Sequence, residues 1–287
     1  MKELTKVKGI TPRDAPAETE MISAGFYADP LVYDVLHTEQ TRRDARIFSR
    51  IIAEHTGTCA KRPLALLESA SGTGRYLLAL AKGGHTALGI DLDAGMVAFA
   101  NARAEAMGLA ARASSIVADM CNFKVRHKFD GAFNPINSIR HLLTDAQMLA
   151  HLGCVGQALQ PDGVYLVGVE LIDPNPTHWQ PSEDLWTGKR GGLSVSQLVN
   201  FLPPGSHAGL PRRERVVSTI TVMQRARGGA TVTRQIDSQY QLRTYTPAQW
   251  STLLRKCGWE SVADYAIEGD VWTGRKFGYR LCVIRPA

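Results

Sequence analysis

The sequence predicts an α/β protein, a Rossmann-like, doubly wound, mostly parallel seven-stranded sheet with an antiparallel β insertion after strand five. Three observations carry this expectation. From Pro63 to Glu170, short apolar runs alternate with helical periodicities, the pattern of parallel strands and their covering helices. A tight turn, Ser71-Gly72-Thr73-Gly74, follows the first apolar run and opens a helical one. Between about Leu185 and Tyr245 the period changes to two, in stretches rich in Val, Thr, Ile and Tyr.

Residues 1–20 are polar, carry two prolines and read as a flexible lead; the main domain spans 21–287. From Thr41 to Glu54, Ala45, Ile47, Phe48, Ile51 and Ile52 recur at helical spacing. The first strand is Leu64 to Glu68, and its helix runs from about Thr73 to Lys82, where Gly83 and Gly84 end it. The second strand reaches Asp91. Asp93 then caps a helix carrying Met96, Phe99, Ala100, Ala104 and Met107 on one face, with the charge of Arg103 reaching outward. Strands follow at Ser114 to Ala118 and Phe129 to Asn134, then a helix capped by Thr144. Pro161-Asp162-Gly163 turns the chain into a fifth strand ending at Glu170. The insertion, residues 185–245, supplies three or more antiparallel strands. Thr246 caps a last helix with Pro247 at its first position, and strands near Ser261 to Ile267 and Gly278 to Ile284 close the sheet.

At 287 residues and 44% hydrophobic content, the chain suits one large core with an insertion. No apolar run approaches the roughly 18 residues of a membrane span, so a cytoplasmic protein without a membrane partner is expected. Five scattered cysteines without a CxxC pair suggest neither a disulfide framework nor a metal site. The net charge of +6 is spread along the chain, and only Pro211 to Arg215 is dense; without interleaved aromatics it reads as a solvated loop, and no nucleic-acid partner is expected.

Ligands of open parallel sheets sit beyond the carboxyl ends of the strands, here Glu68 to Gly74, Asp91, Asp119, Asn134 and Glu170. A pyrophosphate fingerprint needs G-x-G-x-x-G, but the series reads Gly72, Gly74, Leu77, and Glu68 at the strand tip would repel a phosphate. A cationic ligand fits better. S-adenosylmethionine carries an ammonium and a sulfonium with no phosphate. E-x-A-x-G-x-G at 68–74 resembles the first motif of class I S-adenosylmethionine-dependent methyltransferases, with Ala70 in place of the first glycine. Alanine permits close ligand approach there if its backbone angles are ordinary. Gly89 to Asp93 is similar to the second motif, Ala118 to Met120 to the third, and Phe129 to Asn134 to the fourth.

The resemblance implies S-adenosyl-L-methionine as cofactor and S-adenosyl-L-homocysteine as product. It implies Glu68, Ala70, Gly72 and Gly74 around the amino-acid tail, Asp91 on the ribose hydroxyls, and Leu92 and Met96 flanking the adenine. Asp119 and the Met120 backbone would meet the adenine edge, Asn134 closes the set, and Tyr33 would lie over the cofactor. On the acceptor side His141 is the candidate base, with Asn137, Arg140 and Glu170 as polar contacts. Insertions at this place in related small-molecule enzymes roof the acceptor pocket or form dimer contacts. The expected function is methyl transfer to an O or N atom of a small molecule; the alternatives are an RNA or protein methyltransferase and a catalytically silent cofactor-binding partner.

Overall fold

The computed structural model describes residues 25–57, 62–205, 212–225, 231–274 and 277–287. The N-terminal lead, Cys59 and Pro211 lie outside these residues. Helices α1 (Pro30–His37) and α2 (Thr41–His55) precede the alternation β1 (Ala65–Ser69), α3 (Arg75–Lys82), β2 (Thr86–Asp91), α4 (Ala94–Ala106) and β3 (Ala113–Val117). β4 (Phe129–Asn134), α5 (Asp145–Ala158) and β5 (Leu159–Leu171) follow. After four strands of a separate sheet, α6 (Pro247–Lys256), β10 (Trp259–Tyr265) and β11 (Gly278–Pro286) return to the first. The main sheet has seven strands in the order β10-β11-β5-β4-β1-β2-β3. Five are parallel, and β11 runs antiparallel to both β5 and β10.

The local signals explain the helices. Asp93, Thr144 and Thr246 each accept a backbone N–H of the first helical turn, and Gln147 and Gln249 complete capping boxes behind the two threonines. Phe48, Ile51 and Ile52 of α2 are buried with Leu66, Tyr76, Phe133 and Val164 on one face of the sheet. On the other face α5 and α6 bury Met148, Leu152, Val155, Trp250 and Leu254 against Leu67, Val167 and Ile284. Pro161-Asp162-Gly163 does not end an element: β4 pairing jumps from Phe129 opposite Leu159 to Gly131 opposite Val164, so the turn survives as a bulge within β5.

The insertion forms its own four-stranded antiparallel sheet of β6 (Ser182–Arg190), β7 (Leu193–Leu202), β8 (Arg213–Arg225) and β9 (Thr231–Arg243), paired in sequence order. Arg213 to Arg215, expected in a solvated loop, begin β8 instead, because their backbone pairs with Gln241 to Arg243. One face of this sheet is covered by α1, whose Val32, Val35 and Leu36 are buried against Val195, Ile220, Val222 and Ile236. Arg103, expected to reach outward, turns in to the fully buried Asp34 of α1 at 2.6 Å, while Arg190 of β6 binds the other oxygen of the same carboxylate. A desolvated carboxylate holds its partners strongly, since little water competes for them.

Candidate functional site

The glycine turn is built from backbone geometry that few residues tolerate. Ala70, Gly72 and Gly74 all have positive φ, at 55°, 51° and 68°. A Cβ on Gly74 would lie 2.7 Å from the Cβ of Ala100, so this position requires glycine for space as well as for conformation. The condition of ordinary backbone angles at Ala70 is therefore not met: its φ lies in the left-handed region, where the Cβ is crowded. The turn is fastened by Ser71 N–H donating to Ile90 O at 3.0 Å and by Gly72 N–H donating to Asp91 Oδ2 at 2.7 Å. Asp93 N–H donates to Asp91 Oδ1 at 3.0 Å, which sets the Asp91 carboxylate between the two strand ends with lone pairs still available.

Glu68 is 3% exposed and its Oε2 has no hydrogen-bond partner among the described residues. Burial drives its carboxyl well above the ordinary range, with Arg75 opposing the shift and Asp91 adding to it. A buried acceptor lacking a donor at the strand tip fits a cationic group, and an ammonium supplies both the missing donor and the charge.

On the next strand ends, Leu92 is 74% exposed whereas Met96 is buried at 1%, so of the two expected flanking residues Leu92 is the open one. Asp119 Oδ1 accepts Cys121 N–H at 2.8 Å in an Asx turn that shapes the loop. Beneath lies a buried relay whose direction follows from its end group, the Met120 carbonyl, which can only accept. His151 Nδ1–H donates to Met120 O at 2.9 Å, so His151 Nε2 accepts from the Tyr165 hydroxyl at 2.9 Å. The Tyr165 oxygen then accepts from Ser69 Oγ at 2.9 Å, and Ser69 Oγ accepts from Asn134 Nδ2 at 3.0 Å. Asn134, expected near the cofactor, is corrected: it is wholly buried, and its Oδ1 is taken by Ile139 N–H at 3.1 Å, so it locks the tips of β1 and β4 together. Burial lowers His151 to about 4, which keeps it neutral.

Facing the turn is a group of aromatic rings from three parts of the chain. Tyr33 of α1 stands against Gly72, its Cε1 3.6 Å from where a Cβ would be. Tyr27 lies 5.9 Å from Tyr33, 6.2 Å from His141 and 6.5 Å from Tyr240 of β9 between ring centroids. The His141 and Tyr240 rings are 5.3 Å apart, and Tyr27 Oη is 3.3 Å from His141 Nε2. Burial, then the neighbouring Arg140, lowers the His141 pKa, so the ring is neutral at pH 7 and one of its nitrogens carries a lone pair. Tyr27 and Tyr240 were not among the residues singled out in the sequence. Tyr240 lies in a period-two strand like any other and Tyr27 in a short turn, so only the packing of the insertion against the strand ends brings them to His141.

The other expected acceptor contacts divide. Arg140 is 2% exposed and its guanidinium is spent inside the protein, on Arg243 O at 2.9 Å and Glu214 Oε2 at 2.6 Å. Its expected acceptor contact is thus corrected to a strut joining the His141 turn to the second sheet. Asn137, at φ 55°, accepts Glu170 N–H on its Oδ1 at 2.7 Å and so shapes the same turn. Glu170 is half-buried beside them. Burial raises its carboxyl pKa, Arg140 opposes that, and Glu214 adds to it.

Residues 66–163 match the family described as "Methyltransferase domain". A curated relative from Streptomyces fradiae, dTDP-3-amino-3,6-dideoxy-alpha-D-glucopyranose N,N-dimethyltransferase, is 30% identical over 201 residues, covering 64% of this chain and 73% of that protein. Among solved structures, DesVI from Streptomyces venezuelae superposes with a TM-score of 0.67 at 21% identity, over 90% of this chain and 96% of that one. The sugar N-methyltransferase KedS8 from Streptoalloteichus sp. gives 0.65 at 19% identity, over 99% and 100%. At these identities the two structures speak to the fold alone.

Proposed function

The chain belongs to the S-adenosylmethionine-dependent methyltransferases, and from that premise we propose that it methylates the amino nitrogen of a small molecule of the amino-sugar class. The observation that carries the reading is the ring group of Tyr27, Tyr33, Tyr240 and His141 beside the glycine turn. Aromatic faces attract an ammonium, and a neutral imidazole among them takes its proton. The Streptomyces fradiae relative is named for dimethylating the nitrogen of a dTDP-linked amino sugar, which supports the same acceptor class.

Glu68 and Asp91 would hold the cofactor's amino-acid and ribose groups, with Leu92, Asp119 and the Met120 loop on its adenine. When bound, S-adenosylmethionine supplies an electrophilic sulfonium methyl. The chain's own part is to bind, align and deprotonate: His141 takes the ammonium proton, which frees the nitrogen lone pair in line with the methyl. Tyr27 hydrogen-bonds the imidazole, Tyr240 packs against it, and Glu170 attracts the cationic acceptor before the proton moves. Alignment of this kind supplies on the order of 7 to 11 kcal/mol of barrier reduction.

The test is incubation of the full chain with isotopically labelled cofactor and paired acceptors, a nucleotide-linked amino sugar and its hydroxyl counterpart, read by mass spectrometry. Label on the amine and none on the alcohol is expected; label on the alcohol alone would overturn the nitrogen reading.

A further inference from the structure

The inner face of the second sheet forms a floor between two supports. At one end α1 crosses the strands: the Val35 carbonyl occupies the space that a Cβ on Gly188 would need, and Asp29 pairs with Arg234. At the other end the His141 turn rests on β8 and β9, with Arg140 2.6 Å from Glu214 and the His141 ring 5.3 Å from that of Tyr240. Arg234 and Tyr240 are six residues apart on one face of β9, roughly 20 Å along a strand. Two cross-strand rows lie between those ends. One carries Gln197 opposite Ile220, and the next carries Val199, Ser218 and Ser238.

Most of this face is apolar. Val195, Ile220 and Val222 pack under α1, Val199 and Val216 form a second cluster, and Gln197 and Ser218 sit where the two clusters meet. Both side chains are buried, Gln197 at 1% exposed and Ser218 at 2%. Gln197 Nε2 donates to Ser218 Oγ at 3.1 Å, while Gln197 Oε1 has no hydrogen-bond partner among the described residues. The Ser218 hydroxyl, accepting from the amide, keeps its own hydrogen to donate. An apolar side chain at position 197 would extend the cluster without the desolvation cost of an unmet carbonyl, so packing alone gives no reason for a carboxamide here. An acceptor and a donor side by side match a group that both donates and accepts. A hydroxyl does so; an ammonium only donates, and a methylene does neither.

We infer that Gln197 is a specificity-determining residue which, with Ser218, binds a hydroxyl group of the methyl acceptor. Resting on the amine acceptor proposed above, this narrows the substrate to a hydroxylated amine, its nitrogen toward His141 and a hydroxyl toward the row that carries Gln197. A site whose polar groups are buried discriminates strongly against an analogue that leaves them unpaired.

The test measures kcat/KM of the full chain for a nucleotide-linked amino sugar and for its counterpart lacking the hydroxyl groups beside the nitrogen. The hydroxylated amine should be preferred by about tenfold or more. Gln197→Met, similar in length and without the amide, should bring that ratio close to one, with S-adenosylhomocysteine affinity kept and Tm not lowered. Ser218→Ala, a smaller change, should lower the ratio in the same direction and serves if Gln197→Met fails to fold. A purely structural amide would lower Tm in Gln197→Met and leave the ratio as it was. Methylation of both amines with a ratio unchanged in the folded variant, or with no preference in the unaltered chain, overturns the role of Gln197 and leaves the amine acceptor standing. Methylation of neither amine overturns the amine acceptor, and the role of Gln197 with it.

Discussion

The Thr73 hydroxyl donates to Asp34 Oδ1 at 2.9 Å, fastening the glycine turn to α1 and, through Arg190, to the second sheet. The glycine turn, α4 and the second sheet thus meet on one buried carboxylate. Asp34→Ala would leave Arg103 and Arg190 without their counter-charge. Both guanidinium groups are partly exposed, at 26% and 41%, so the cost falls below that of a fully buried pair, at about 2 to 3 kcal/mol. Chemical denaturation should report that loss together with weaker cofactor binding; an unchanged midpoint would show that the carboxylate is dispensable.

Ala70 at φ 55° carries a Cβ in the left-handed region. Ala70→Gly removes that crowding and gains about 0.5 to 1 kcal/mol after the greater freedom of the unfolded chain is counted. A small rise in Tm is expected, and a fall would mean that the alanine methyl has compensating contacts.

Asp91 joins two backbone donors to the edge of the cleft. Asp91→Ala should lower affinity for S-adenosylhomocysteine by about a hundredfold, since charge-assisted bonds are lost and two N–H groups are released. Calorimetry with unchanged affinity would refute its role on the ribose.

His141 titrates below its ordinary value because it is buried beside Arg140. Its basic form is therefore lost only as pH falls through that lowered pKa, and turnover should rise with pH on the acidic side and level off by neutrality. His141→Gln should remove the inflection and reduce kcat by about 10² or more. Full turnover with the same pH profile would exclude it as the base.

His151 is neutral when folded, with a pKa lowered to about 4, and protonates near 6.5 when unfolded. The unfolded chain binds the extra proton, so this stabilisation is present above pH 6.5 and lost as pH falls toward 4, amounting to about 3 kcal/mol. His37, lowered to about 3 by burial, acts in the same direction. Urea midpoints between pH 7 and 4 should fall; a flat profile would contradict the buried neutral state, and His151→Gln should make the profile shallower.

The alternating pattern from Pro63 to Glu170 predicted the succession of strands and helices along the chain, because each element's periodicity is local and its caps lie within a few residues. Asp93, Thr144 and Thr246 cap the helices they were expected to cap. The position of the glycine turn at the end of β1, and of Asp91 at the end of β2, was legible for the same reason. Asn134 and Arg140 misled: a polar residue near a strand tip reads alike whether it faces a ligand or locks two strands together, and only burial separates the two.

What the sequence determined by itself was the αβ alternation, the insertion and the turn at Gly72 and Gly74, all written within single elements. Only the tertiary structure decided that the insertion folds as its own sheet and that α1 lies across it. It also decided that Tyr27 and Tyr240, more than 200 residues apart in the chain, would meet His141. Such meetings depend on which apolar faces bury one another, and burial is a property of the whole fold, carried by no local pattern.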